Sequence, residues 1–300
     1  MDFKGFLKLC SNGTPHEVQT ALENDADIDL SETDDNGMTP LMLAAANNPD
    51  SEVAAVLLEN GAEINATNVG MTALNWAALN NPNADVVNLL LKNGAETEEK
   101  SGFYFHGLPE ELKELNALFN DTEIIDFLSN QDYMTALMWA VCFNRNARIV
   151  ELLIENGADT KATTSEGKTF LQLAAMLNPS VEVAVVLMEN GASVNDTDDD
   201  NMTALMAAAI FNPNPDVVKL LLLNGADINA TDEDGMTALM LAVNKSHSAA
   251  ITCLLENGAD THIKDRCGKR AIDHARENED LKNTEIFKEL LKASRIAIRR

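Results

Sequence analysis

Aromatic residues, cysteines, histidines and positive charge are all scarce in this chain. Aromatics make up only 5% of its 300 positions although hydrophobic residues reach 45%. The apolar content is therefore carried by Leu, Ala, Val and Met, which suits many small helices packed in layers better than one core built around large rings. The four cysteines, Cys10, Cys142, Cys253 and Cys267, lie far apart with no CxxC pair. Neither a disulfide framework nor a thiolate metal site is expected, and free thiols in a reducing, cytoplasmic setting are the simplest reading. The five histidines, His16, His106, His247, His262 and His274, show no ligand spacing, so no metal is expected. No run approaches the roughly 18 apolar residues that a bilayer span needs. The opening MDFKGFLKLCSNG lacks the apolar stretch and cleavage site of an export signal, although signal-independent secretion is compatible with it.

Basic residues are outnumbered, giving a net charge of -26. From Lys264 onward 11 of the 22 Lys and Arg face 7 of the 48 Asp and Glu, a net of +4; the first 263 residues hold the remaining 11 against 41, or -30. Such a field repels phosphate backbones and anionic lipid, so neither nucleic acid nor a membrane is expected as a partner. A protein or peptide with a basic and apolar surface fits. Catalytic signatures are missing too: there is no GxSxG, phosphate-cradling glycine loop or dinucleotide fingerprint. DTDDDN from Asp196 opens like a calcium loop, but Asn201 and Ala207 stand where that loop needs glycine and a bidentate glutamate. Cys142 has no histidine near it in sequence and lies in an acidic field, so it is expected as a small buried hydrophobe and not a nucleophile. No enzyme activity and no cofactor are expected.

What the chain does have is one phrase repeated six times: GMTPLMLAA from Gly37, GMTALNWAA from Gly70, YMTALMWAV from Tyr133, GKTFLQLAA from Gly167, NMTALMAAA from Asn201 and GMTALMLAV from Gly235. The starts are 33, 63, 34, 34 and 34 residues apart, the period of a stacked supersecondary unit. About 14 residues after each start comes a second apolar block such as DVVKLLLLNGADIN. Both blocks space apolar residues three and four apart, predicting two helices per unit. Thr39, Thr72, Thr135, Thr169, Thr203 and Thr237 are placed to cap the first helix, with Pro40 suited to its first turn. Asn-Pro pairs at 48, 81, 178 and 212 end the first helix, and Asn-Gly ends the second, where glycine takes the left-handed conformation.

Helix, Asn-Pro turn, helix, NGADINA and an Asp/Gly-rich turn together resemble the ankyrin repeat, in particular long, methionine-rich arrays of bacterial type. The resemblance covers most of residues 34 to 275 and implies an all-α solenoid of stacked helix-turn-helix units with β-turn fingers. There are two departures. Met42, Asn75, Met138, Gln172, Met206 and Met240 replace the histidine of the family phrase TPLHxAA, so neighbouring repeats must be hydrogen-bonded differently. The Asn-Pro turn is also one residue longer than the family's Gly-His turn.

The expected organisation is an N-terminal capping repeat at 1–33 that keeps only the second half of the pattern, and repeats at 34–97. A degenerate, interrupted repeat at 98–130 follows, then repeats at 131–264 and a C-terminal capping repeat with a basic tail at 265–300. Within the interruption, SGFYFHG from Ser101 is either a plug over an irregular junction or a partner-binding loop. The resemblance implies a non-catalytic scaffold, expected as a monomer, that binds a protein or peptide on its concave face. Carried over by position, the finger residues include Met71, Met134, Met202 and Met236, and the palm residues include Leu79, Phe143, Met176, Leu177, Ile210 and Phe211. Asp198, Asp199 and Asp200 would rim them. The methionines equally fit a role in packing each turn on its neighbour, and the palm residues one of being half-covered by the longer turn. A small-molecule or peptide-modifying role at 98–130, or a secreted host-directed effector, is the alternative.

Overall fold

The protein is described here by a computed structural model covering residues 1–67, 70–98 and 134–295. The chain divides into two compact units, Met1–Asp159 and Thr160–Arg300. The first holds α1 (Phe3–Asn12), α2 (Pro15–Asn24), α3 (Pro40–Asn47), α4 (Ser51–Glu59), α5 (Ala73–Asn80), α6 (Ala84–Lys92), α7 (Ala136–Phe143) and α8 (Ala147–Glu155). The second holds α9 (Phe170–Leu177), α10 (Val181–Glu189), α11 (Ala204–Phe211), α12 (Pro215–Leu223), α13 (Ala238–Asn244), α14 (Ser248–Glu256), α15 (Ala271–Glu277) and α16 (Glu285–Ala293). Within each unit odd-numbered helices pack on odd-numbered neighbours and even on even, which gives two parallel layers of helices. Among the described residues there is no strand, and the fold is an all-α repeat solenoid.

Local chemistry explains the element boundaries. The hydroxyl of each capping threonine accepts the amide three residues on, as Thr203 does from Met206. Arg270 stands at the threonine position of the last repeat, and there the Asp273 carboxylate takes the Arg270 amide instead. The inner first helices, α3 to α13, are only about two turns long yet buried on nearly every side; in α11 every residue from Ala204 to Ile210 is buried. An all-round apolar helix is stable only when covered on all sides, and the alanines let its neighbours come close. Second helices keep one wet face: α10 buries Val183, Ala184, Val186 and Leu187 while Glu182 and Glu189 are exposed. It ends at Gly191, whose φ of 93° a side chain would resist, while Asn190 Nδ2 returns to the Val186 carbonyl at 2.8 Å.

The N-terminal segment differs from expectation. It is a full helix pair, with α1 burying Phe6, Leu7 and Cys10 against α3. Its first helix lacks the recurring threonine phrase because Asp2 does the capping, accepting the Gly5 amide at 3.0 Å. Most of the interruption expected at 98–130, including SGFYFHG, lies outside the described residues.

The turn between the helices is where the two departures from the family phrase meet. Asn81, with no exposure at all, donates through Nδ2 to the carbonyls of Ala45 at 2.9 Å and Asn48 at 2.8 Å in the preceding repeat, and accepts the Asn83 amide at 2.9 Å. Asn48 does the same toward Cys10 and Gly13, Asn144 toward Ala78 and Asn81, and, in the second unit, Asn212 toward Ala175 and Asn178. A second tier runs beside it, with Asn83, Asn146 and Asn214 donating to the carbonyls of Pro49, Pro82 and Pro179. These asparagines supply inter-repeat hydrogen bonds at the turns, and at the family histidine position Gln172 donates through Nε2 to the Met202 carbonyl of the next repeat. In the repeat from Gly235 the turn is one residue shorter, and Ser246 takes φ 60° in it.

Candidate functional site: fingers and palms of the repeats

Each finger is built by the residue at its start. Asp198 Oδ1 accepts the amides of Asp200 at 3.1 Å and Met202 at 2.9 Å, and the Asp198 amide returns to the Met202 carbonyl. Asp34 and Asp232 repeat the pattern, while Thr164 uses its hydroxyl for the same purpose. The finger position filled by glycine in sister repeats has φ near 80°, and Asn201 adopts φ 59° there. In the second unit the fingers are joined by backbone bonds, Asp199 N to Glu166 O, Glu233 N to Asp200 O and Arg266 N to Asp234 O. The acidic tract at 196–201 is thus structural at its centre: one Asp198 oxygen serves finger amides, and the other lies 3.4 Å from Lys168 Nζ. Burial depresses the Lys168 pKa, but Glu166 and Asp198 outweigh it and hold that ammonium above its ordinary value.

Most finger methionines are packed. Met71, Met134 and Met236 are buried, and Met202 is partly exposed. Most palm residues also lie beneath the surface: Leu79, Met176, Leu177 and Ile210 are each less than a tenth exposed. In the first unit Phe143 stays partly exposed, its ring 5.8 Å from that of Trp139. In the second unit Phe211 is partly exposed, with Lys245 Nζ 5.6 Å from its ring centre. Asp199, Asp200, Glu233 and Asp234 are exposed on the fingers. The asparagine ladder is not legible from the turn pattern, in which proline alone accounts for the helix ends. Its signal was present, since Asn144 and Asn278 keep the asparagine where no proline follows.

Little on this face could perform chemistry. Burial pushes the Cys10 thiol up to about 12 and the Cys142 thiol higher still, so both stay protonated at neutral pH. His274 Nε2 meets Asp265 Oδ2 at 2.8 Å, a pair that ties α15 to its own finger. Among the described residues no group of His, Cys, Asp and Glu is arranged to hold a metal, and no helix is long and apolar enough to cross a membrane.

The family model for ankyrin repeats in three copies matches residues 6–101, 112–198, 137–232 and 205–299. The chain belongs to the ankyrin repeat family, whose members are in general protein-protein interaction modules without catalytic activity. Among solved structures it is similar to the crystal structure of the human ASB11 ankyrin repeat domain. The TM-score is 0.65 at 22% identity, over 85% of this chain and 98% of that one, a likeness of fold. A search of the curated proteins finds no match.

Proposed function

We propose that this chain is a non-catalytic scaffold that binds a partner protein or peptide on the faces formed by its fingers and first helices. The observation that carries this reading is the pairing of partly exposed aromatic palms with exposed finger carboxylates. Phe143 in one unit and Phe211 in the other offer rigid apolar anchors, and in the second unit Asp199, Asp200, Glu233 and Asp234 stand on the fingers. Anchors of this kind dominate interface energetics, while rim charges steer encounter and choose partners. With a net charge of -26 the preferred partner is a segment carrying apolar side chains flanked by Lys or Arg. Leu79, Met176, Leu177 and Ile210, buried at the palm positions, and Met71, Met134 and Met236, buried in the fingers, back this surface, while Met202 is partly exposed on it.

The test is capture of partners by the full-length chain and by Phe143→Asp plus Phe211→Asp, with helical content followed by circular dichroism. Loss of partners from the folded double variant is expected, together with weaker wild-type capture as salt rises. An unchanged partner set on an intact fold would remove the palms from the binding surface.

A further inference from the structure

Beyond the asparagine ladder of the helix turns, a second periodic bridge links the loops that follow the second helices. Asn195 lays its side-chain carboxamide across the next loop, with Nδ2 donating to Gly225 O at 3.0 Å and Oδ1 accepting Asp227 N–H at 2.8 Å. In the first unit Asn65 bridges Gly94 O at 3.3 Å and Glu96 N–H at 3.2 Å in the same way. Asn229 Oδ1 accepts Asp260 N–H at 2.9 Å. At one interval inside the second unit the bridging residue is replaced. The position five residues beyond the helix-ending asparagine is Lys161, whose ammonium carries no acceptor atom, and the loop that lines the same space is Asn190-Gly191-Ala192-Ser193. Among the described residues nothing donates to Gly191 O and nothing accepts from Ser193 N–H.

The lapse coincides with a cavity. A space of about 320 Å³ opens there, lined by Lys161, Gly191 and Ser193 together with the apolar Phe170, Leu171 and Leu187. That size falls in the range of small-ligand sites, which join an apolar body to a few directed polar groups. The polar groups left open are the same two that the Asn65 and Asn195 carboxamides satisfy in their own intervals.

We infer that this cavity binds a primary carboxamide carried on a small apolar or aromatic body. The amide NH2 donates to Gly191 O, the amide oxygen accepts Ser193 N–H, and the apolar body covers Phe170, Leu171 and Leu187. A carboxylate fits worse, because its oxygens have no proton to give the Gly191 carbonyl. The site is separate from the palms and does not depend on the proposed scaffold function.

Backbone amide NMR of the full-length protein, titrated with benzamide, tests this. Saturable shifts of the Ser193 and Ala192 amides are expected at about millimolar dissociation constant, the range for so small a ligand. Methyl benzoate, with the same body and no amide protons, is expected to bind about tenfold or more weakly. Lys161→Asn rebuilds the internal bridge and is expected to abolish the benzamide shifts while the rest of the spectrum is kept. A blocked glutamine peptide separates the sources: tighter binding than benzamide identifies the natural amide as a side chain of a protein partner, weaker binding as a free small molecule. No saturable shift at Ser193 or Ala192, or equal binding of methyl benzoate, would overturn the assignment, whichever way the variant behaves. Partner capture on the palms is unaffected by either result.

Discussion

Asn81 makes three hydrogen bonds from a position without solvent exposure, and two of them end on carbonyls 33 and 36 residues earlier. Removing such a side chain does more than delete bonds, because the backbone groups it served stay buried and unpaired. Each stranded group costs about 1 to 3 kcal/mol. Asn83, two residues on, offers a comparison: its Nδ2 reaches Pro49 O at 2.7 Å and its Oδ1 accepts the Asp85 amide at 3.0 Å, but the site is partly exposed and water can replace both bonds. Asn81→Ala is therefore expected to lower stability by about 3 kcal/mol, and Asn83→Ala by about 1 kcal/mol or less. Urea unfolding of the two variants checks this, and equal losses would show that the buried tier is no more important than the wet one. The contrast also shows why part of the structure was legible and part was not. A threonine cap is closed by an amide three residues away, so its signature is local. The ladder amide has partners in the preceding repeat, and a sequence shows only that asparagine recurs there.

At the scale of elements, each first helix is held by its cap, its finger and the helices above and below it. For the palms, order along the helix is legible in the sequence and depth is not. Positions seven and eight after the threonine fall on one side of a two-turn helix, yet Met176 and Leu177 are both covered while Phe211 protrudes in part. Depth depends on how far neighbouring layers overhang, which the chain does not write locally. The last repeat adds charged contacts to its apolar packing. There Asp265 accepts the Lys269 amide at 2.8 Å and His274 at 2.8 Å, joining the finger to α15. Burial works to raise the Asp265 carboxyl, but the Lys269 amide and the His274 ring outweigh it and hold it below the ordinary carboxylate range. A depressed carboxylate adds stability above its unfolded pKa of about 3.9 and loses that contribution as pH falls through the folded value. Amide exchange protection of α15 is thus expected to weaken as pH drops below about 4. In Asp265→Asn it is expected to be weaker at neutral pH and to lose that acid dependence. Wild-type protection that stays constant over the same interval would show that the pair carries no linked stability.

For the molecule as a whole, solenoid layers are stable only while something covers their apolar faces. In the second unit the last described layer does this for α13 and α14. Ala271, Ile272 and Ala275 of α15 turn inward, α15 packs on α13 and α16 on α14, and Asn278 Nδ2 donates to Val243 O at 2.8 Å. Its outer side carries ion pairs between Arg270, Arg276 and Asp273 and between Lys269 and Glu277. A chain ending at Lys264 would lose both that cover and a charge excess. Two effects then oppose each other: newly exposed Leu239, Val243 and Ile251 favour association, while a charge near -30 on what remains favours separation. Apolar association at about 25 cal/mol per Å² changes little with salt, whereas repulsion between surface charges is screened within about 8 Å at physiological ionic strength. The truncated protein is therefore expected to stay dispersed at low salt and to aggregate near 0.15 M salt, with a broadened thermal transition, as light scattering and calorimetry would record. A monomer that unfolds as sharply as the full chain under both conditions would show that residues 265–300 are an appendage and that the stack closes without them.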